Sequence, residues 1–509
     1  MSPRLLRSLA IAGVVVLVTL GCCRIGMRLL PERFAVNAPI RQLLLGRGIE
    51  PASESELRER LAVPEGFVVS LYAAGLPNAR FLRFTPAGDL LVSTPRSGRI
   101  WLVPRATDGS ARAGAPRVLL EDLDRPHGID LHGGWLYVGE GSAVARVRFD
   151  AAAGRTEGPI ERVVTDLPAG GNHWTRTLRF GPDDKLYVSV GSSCNVCIEQ
   201  DPRRAAMLRF AADGSGAEIF ATGLRNSVGF DWQPGTGDLY ATDNGRDLLG
   251  DDIPPCELNR IVEGGFYGWP FAWGDRQPDP DVGAGHEAEI RASIPPVHAF
   301  RAHNAPLGIT FVRDANAAPA LRGAALVALH GSWNRTHKDG YEVVSLHWSP
   351  DGRIEERPFL TGFVRDDESV IGRPVDVAEG PDGAIYVSDD YAGAVYRVAF
   401  GATALPAGVP ASTSPPAATA DPSDDLRPAE RSARIAQGRA LFEAHACYRC
   451  HEAARAEPGV VPVPLDRLTG RYDRASLSAY LAAPQPPMPL FPLDTEQRHA
   501  LAEFLLDAN

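Results

Sequence analysis

The chain has 509 residues, enough for two or three domains, and its 44% hydrophobic and 23% charged content is that of an ordinary globular protein, not a disordered or fibrous one. A formal net charge of −11 argues against nucleic acid as a partner, since a polyanion would be repelled. Gly (51) and Pro (43) are abundant while Met (4) and Cys (7) are scarce, which suits a turn-rich β protein.

Residues 1–30 have the pattern of an export signal or N-terminal membrane anchor. Arg4 and Arg7 precede an apolar run from Leu9 to Leu20, closed by Gly21, Cys22 and Cys23. That run is short for a membrane span, so secretion is expected. Thr19-Leu20-Gly21-Cys22 resembles a lipoprotein cleavage box, with Thr19 where an aliphatic residue is usual. Cleavage, lipidation at Cys22 and an uncleaved anchor all stay open; each puts the protein on the periplasmic side.

From about residue 60 one phrase recurs: an apolar strand, a turn with Pro, Gly or Asp, then a strand such as Leu-Tyr-Val-Ser. It stands at Leu82–Ser93, Ile129–Val138, Leu178–Ser189 and Gly229–Thr242, more loosely at Gly308–Leu329, and again at Val375–Ser388. Six copies, mostly about 45–60 residues apart, have the spacing of four-stranded propeller blades. Six small antiparallel sheets around one axis leave few exposed edges. The expected fold is mainly β, a six-bladed β-propeller over 60–400, with the Pro- and Gly-rich segment 270–306 as loop insertions. Two stacked β-sandwiches would explain a sixfold recurrence less simply. Within the propeller region Cys194 and Cys197 form a CxxC with no following His, for which a short-loop disulfide is the first reading in an oxidising compartment. A redox-active dithiol is the alternative, although no thioredoxin-like βαβ pattern surrounds it. Cys256 is left as an unpaired thiol.

Residues 401–430 turn to Ala, Pro, Ser, Thr and Asp without apolar period, the composition of a semi-extended linker. About 30 such residues reach roughly 30 Å. Residues 431–509 then carry Cys447-Tyr448-Arg449-Cys450-His451, the pattern of covalent haem attachment. The thiols of Cys447 and Cys450 would form thioethers to the haem vinyls, with His451 on one face of the iron. Met488, the one methionine that follows, would supply the other ligand. A loop disulfide beside an unrelated His, or a zinc half-site, are the competing readings. No second CxxC or HxxxH supports the latter. Gln437–Phe442 reads as a helix leading into this motif, Asp494-Thr495 as the cap of a final helix with Leu501, Phe504 and Leu505 on one face, and Gly438 as a point of close helix crossing. The expectation is a small all-α cytochrome c domain.

A haem of this type carries one electron and makes no substrate chemistry alone, so the propeller should supply or receive electrons. Polar clusters stand at the ends of the recurring strands: Asn172–Arg176, Arg225–Ser227, Asp243–Asp247 leading to Asp251, Asp252 and Glu257, His330–Lys338, and Arg373. One by one such residues are ordinary strand-end hydrogen bonders. Together, a His, several Arg or Lys and a carbonyl-rich acidic loop suit an anionic cofactor with a calcium ion.

The stretches His173–Asp183, Leu224-Arg225-Asn226, Glu257–Pro270 and Gly372–Val377 resemble the PQQ-dependent sugar dehydrogenases, the soluble glucose dehydrogenase and sorbosone dehydrogenase superfamily (PQQ is pyrroloquinoline quinone). Gly264–Pro270 is the most specific of them. Gly191–Cys197 and Gly331–Gly340 are nearest the sorbosone branch. The resemblance implies that His173 is the general base taking a proton from the sugar hydroxyl while hydride passes to the quinone. It implies that Arg225 and Asn226 lie against the quinone and that Lys338 and Arg373 hold its carboxylates. The main-chain carbonyls of Gly245 and Arg246 match a calcium (Ca2+) site that also binds PQQ, where the ion acts as a Lewis acid. Glu257 and Tyr267 match a separate, structural calcium site. Departures are Cys256 in place of an aspartate of that second site, Val375 in place of a second arginine, and Arg246 in place of a proline. The reading is a quinohaemoprotein oxidoreductase that oxidises a sugar, or a related aldehyde or alcohol, at PQQ. It passes electrons singly through haem c to a periplasmic or membrane acceptor. A calcium-dependent propeller lactonase and a non-enzymatic docking module are the rivals.

Overall fold

The computed structural model describes residues 34–37, 48–105, 112–314 and 317–401, and in the C-terminal part 428–451, 474–482, 493–507 and a few isolated positions. The export segment 1–30, nearly all of the linker 401–430, and Met488 lie outside the described residues. The chain divides into two compact units, Met1–Ala404 and Leu405–Asn509.

The first unit is a six-bladed β-propeller. Each copy of the recurring phrase forms the first two strands of one blade, and the blades start at Leu82, Ile129, Leu178, Phe230, Pro306 and Pro374. Second strands such as Leu186–Val190 and Ile385–Asp389 are buried at every position, because each sheet is packed between two others. In the third and sixth blades the intervening turn is built by an aspartate. Asp183 accepts from the Lys185 amide (3.3 Å) and from the Tyr187 hydroxyl (3.0 Å), and Asp382 does the same for Ala384 (3.2 Å) and Tyr386 (3.1 Å). The following residue takes positive φ, as Asp184 in one turn and Gly383 in the other. The ring closes through a strand outside the six copies. Phe67–Ala73 pairs antiparallel with Ala394–Phe400, so the last blade is completed by the start of the propeller chain. Segment 270–306 is more than insertion, since its end, His298–Phe300, is the outer strand of the fourth blade. Gly265–Phe266 adds a parallel edge to the third.

The first strands line the axis, and at one end their central residues interlock. Asp130, Asp231 and Asp376 each accept the amide of the next blade's first strand, from Phe180 (2.8 Å), Phe311 (2.8 Å) and Leu82 (2.9 Å). Arg83 pairs with Asp130 (2.6 Å), while Arg179 and Arg313 both pair with Asp231 (2.7 Å each). Arg179 and Arg313 hold Asp231 below the usual carboxylate range against its burial, whereas burial pushes Asp376 up to about 6.

The described residues of the second unit are helical: Pro428–Ala444, Tyr448–His451, Arg474–Ala482 and Thr495–Asp507. Asp494 and Gln497 form a reciprocal cap, Asp494 Oδ1 accepting the Gln497 amide and Gln497 Oε1 the Asp494 amide (2.9 Å each). Leu501 and Leu505 are buried, and Phe504 meets Phe442 edge-on at 5.7 Å. Gly438 sits so close to the Ala500 carbonyl and Phe504 that no Cβ would fit, which is the expected helix crossing.

Candidate active site

Loops that enter first strands and leave second strands meet at the other end of the axis, around a cavity of about 410 Å³. Arg80, His173, Trp174, Arg225, Asn226, Gly245, Asp247, His303, His330 and Trp333 are in its wall. A hollow of about 980 Å³ at the opposite end is larger, but its charged residues include the interlocked Asp–Arg pairs.

His173 is mostly enclosed. Its Nδ1 lies 2.8 Å from Ser192 Oγ and 3.0 Å from the Ser192 carbonyl. The Ser192 hydroxyl donates to the Cys194 carbonyl (2.7 Å), so its Oγ can only accept from the imidazole. Nδ1 therefore carries the proton and Nε2 keeps a lone pair. Burial and then the nearby Arg225 charge push the imidazole down to about 3, so the ring is neutral across the physiological range.

All five N–H groups of Arg225 meet protein oxygens. Nε donates to Asn195 O (2.9 Å). Nη2 donates to Asn195 Oδ1 (2.8 Å) and Asp247 Oδ2 (3.2 Å), and Nη1 to the carbonyls of Asn244 (3.1 Å) and Gly245 (2.8 Å). The guanidinium is thus fixed in plane, with only its face left to offer. The amides of Arg225 and Asn226 are tied to Asp243. Burial, with Glu257 adjacent across the strand pair, raises Asp243 to about 8.

The opposite wall is a chain of four polar side chains. Arg373 Nη2 donates to His330 Nδ1 (2.9 Å), His330 Nε2 donates to Asp390 Oδ1 (3.0 Å), and Arg80 Nη1 donates to Asp390 Oδ2 (2.9 Å). Burial and Arg373 hold His330 down at about 4. His330, Arg373 and Arg80 hold Asp390 far below the usual carboxylate range despite its burial. Sequence reading missed Arg80 and gave His330 no role. The available signal was positional: Arg80 precedes Leu82-Arg83-Phe84 as Arg176 precedes Leu178-Arg179-Phe180.

Of the expected site residues, His173, Arg225, Asn226 and Gly245 come together in the cavity wall. Arg373 acts from behind His330. Lys338 is not in the wall; its ammonium faces Glu368 at 3.6 Å. The Arg246 side chain turns away from the cavity and is clamped by Asp279 and Asp281 (2.8 Å each). Glu257 and Tyr267 share a separate cavity of about 20 Å³ with Asp243 and Asp279. Both Glu257 oxygens already accept protein donors, Gly274 N (2.8 Å) and Asn259 Nδ2 (3.0 Å). Cys256, next in sequence, points to the other side of its strand into the axial cavity and is a buried thiol raised to about 11. Cys256 therefore lines the axial cavity and not the Glu257 pocket. Cys194 and Cys197 are disulfide-bonded, and with Glu199 they are the one group of three potential metal-binding side chains found among the described residues.

In the second unit, Cys447 is buried in an apolar cluster with Phe442, Leu468, Leu477, Leu501 and Leu505. His451 is one helical turn on, its amide donating to the Cys447 carbonyl (3.2 Å).

The family model described as TrAA12-like matches residues 61–254 and 286–400. The chain belongs to the TrAA12-like family. A PQQ-dependent pyranose dehydrogenase of Coprinopsis cinerea is 25% identical over 419 residues, covering 67% of this chain and 55% of that protein. An uncharacterised protein of Borreliella burgdorferi is 39% identical over 220 residues, covering 42% and 57%. The chain thus spans little more than half the length of these curated relatives. The holo form of the pyranose dehydrogenase PQQ domain from Coprinopsis cinerea superposes with a TM-score of 0.57 at 23% identity, over 67% of this chain and 97% of that one. That likeness establishes the propeller fold.

The donor set suits a planar polycarboxylated ligand such as PQQ. The cavity lies within the roughly 300–1,000 Å³ range of small-molecule sites. Two guanidiniums and two neutral imidazoles surround it, and Arg80 Nε is a buried donor without a protein partner among the described residues.

Proposed function

We propose that the chain is a quinohaemoprotein dehydrogenase, acting on a sugar or a related aldehyde or alcohol, in which the axial cavity binds PQQ and the C-terminal unit carries haem c. The observation that carries this reading is His173: a neutral imidazole of fixed tautomer, with Nε2 unprotonated, beside the in-plane guanidinium of Arg225. When bound, PQQ would supply the two-electron acceptor and haem c a one-electron relay; the Gly245 and Arg246 carbonyls, the first of which also accepts from Arg225 Nη1, would hold a calcium ion acting as a Lewis acid. His173 Nε2 takes the proton of the substrate hydroxyl, while the Nδ1–H bond to Ser192 keeps the ring oriented as it charges. Arg225 and Asn226, both in the cavity wall, would hold the cofactor. Arg80 would meet the cofactor's carboxylates from the wall, and Arg373 would add positive charge from behind His330.

Cys447 and Cys450 would hold the haem, with His451 and Met488 as axial ligands. The linker would keep the haem at high local concentration near the propeller. The protein would work on the periplasmic side, attached or free, and deliver electrons to a periplasmic or membrane acceptor.

The test is the haem absorbance of the full chain on adding aldoses, sorbosone or simple alcohols with PQQ and calcium. Reduction that needs both PQQ and substrate, and disappears in His173→Ala, is the expected outcome. A haem reduced by dithionite but by no substrate would return the propeller to the lactonase or docking readings.

A further inference from the structure

The segment Ser192–Glu199 belongs to no strand, yet it touches both His173 and Arg225. Within it the Cys194–Cys197 disulfide closes a four-residue ring whose first inner residue is Asn195. Asn195 holds Arg225 by two oxygens of one residue, its carbonyl on Nε (2.9 Å) and its Oδ1 on Nη2 (2.8 Å). The same Oδ1 accepts the Asp247 amide (2.8 Å), and Nδ2 donates to the Asp247 carbonyl (3.0 Å). Asn195 therefore ties a loop of the third blade to the Arg225 loop and the Asp247 loop of the fourth. Two further bonds brace the ring: Ser192 Oγ to the Cys194 carbonyl (2.7 Å) and Ser193 Oγ to Glu199 Oε2 (2.8 Å).

A two-point grip by one residue specifies the rotation of a guanidinium about its long side chain. The remaining contacts of Arg225, to Asn244, Gly245 and Asp247, come from the neighbouring loop that Asn195 itself anchors. Arg225 alone would lose the rotamer freedom of a long side chain on ordering. A preformed grip takes that cost out of ligand binding. The disulfide holds the Asn195 carbonyl and side chain in register with each other.

We propose that Asn195, braced by the Cys194–Cys197 bridge, is a positioning residue that presents the flat face of the Arg225 guanidinium to the cofactor; this rests on the reading of the axial cavity as a PQQ site. It contacts Arg225 and Asp247, and acts through them.

The experiment is equilibrium binding of PQQ to the full-length chain, followed by quenching of tryptophan fluorescence, since Trp174 and Trp333 are in the cavity wall. The proteins compared are wild type, Asn195→Ala, Asn195→Asp and the double variant Cys194→Ala/Cys197→Ala. Expected are a Kd at least tenfold higher for Asn195→Ala and a smaller rise for the double variant, which keeps Asn195 but unbraces it. Asn195→Asp retains an acceptor for Arg225 but puts an oxygen where Nδ2 donated to the Asp247 carbonyl and adds a negative charge beside an anionic cofactor, so it too should bind more weakly than wild type. With PQQ saturating, KM for sugar should stay within twofold in each. Asn195→Ala that binds PQQ within threefold of wild type overturns the proposal while leaving the PQQ reading intact. A loss larger in the double variant than in Asn195→Ala overturns it too, since the bridge would then act other than through Asn195. A wild-type chain that binds no PQQ overturns both. Should Asn195→Ala not fold, the double variant decides: a Kd several-fold above wild type supports the proposal, and a Kd equal to wild type overturns it.

Discussion

Replacing His330 with Gln tests whether its imidazole is kept neutral by the cavity wall. In the folded chain its Nδ1 accepts from Arg373 and its Nε2 donates to Asp390, and burial beside Arg373 lowers the ring from 6.5 to about 4. The unfolded chain would bind a proton near pH 6.5, the folded chain only near 4. This group's contribution to stability is therefore present above pH 6.5 and is lost as pH falls through the window from 6.5 to 4. At pH 5.5 the unfolded imidazole is about ten parts protonated to one, which amounts to about 1.4 kcal/mol relative to pH 8. Glutamine can accept from Arg373 and donate to Asp390 without titrating. Urea unfolding of the wild type and His330→Gln at pH 8 and 5.5 should show a stability loss smaller by about 1.4 kcal/mol in the variant. Other titrating groups cancel in this double difference, whether of opposite sign, as Asp243 at about 8 and Glu342 at about 7, or of the same sign, as His173 at about 3. Equal pH dependence in the two proteins, or a His330 ring signal titrating near 6.5 in the folded protein, would refute the reasoning.

Two further outcomes follow from the fold. Asp231→Ala removes the buried carboxylate that Arg179 and Arg313 share and the acceptor of the Phe311 amide, and should cost about 3 kcal/mol in urea unfolding. Asp376→Asn, at an aspartate already raised to about 6, should cost about 1 kcal/mol, since the amide oxygen can still accept from Leu82; equal costs would deny the different pairing of the two sites. Gly438→Ala should weaken the helix crossing at Ala500 by about 1–3 kcal/mol. Because none of the eight tryptophans lies beyond Trp348, the far-UV helical transition should shift while the tryptophan transition stays, and a shift of both would contradict the division into separate units.

The propeller was legible because its rule is local. The turn and the buried second strand lie within one copy, as Asp183 before Leu186–Val190 and Asp382 before Ile385–Asp389, so the repeat shows in a linear reading. The closing strand Phe67–Ala73 was not legible, since its partner Ala394–Phe400 is more than 300 residues away and neither belongs to a complete copy of the phrase. The outer strand His298–Phe300 was hidden for a related reason: three residues in a Pro- and Gly-rich stretch have no period to detect, and only pairing with Cys256–Leu258 makes them a strand.

At the site, His173, Arg225 and Asn226 were found because each sits in a cluster beside a repeat. Arg80 and Asp390 were not, because their pairing spans 310 positions and exists only once the ring is closed. Sequence alone determined which residue types stand at the blade ends, and hence the family-like motifs and the propeller that carries them. Tertiary structure decided the chemistry of those residues. It set the His173 tautomer through Ser192, and occupied every Arg225 donor through Asn195 and the Asp247 loop. It also turned Lys338 to Glu368, and sent Cys256 and Glu257 to opposite faces of one strand. Tautomer, pKa and side-chain direction depend on what lies within hydrogen-bond distance across blades, and those neighbours are brought together only by closing the propeller.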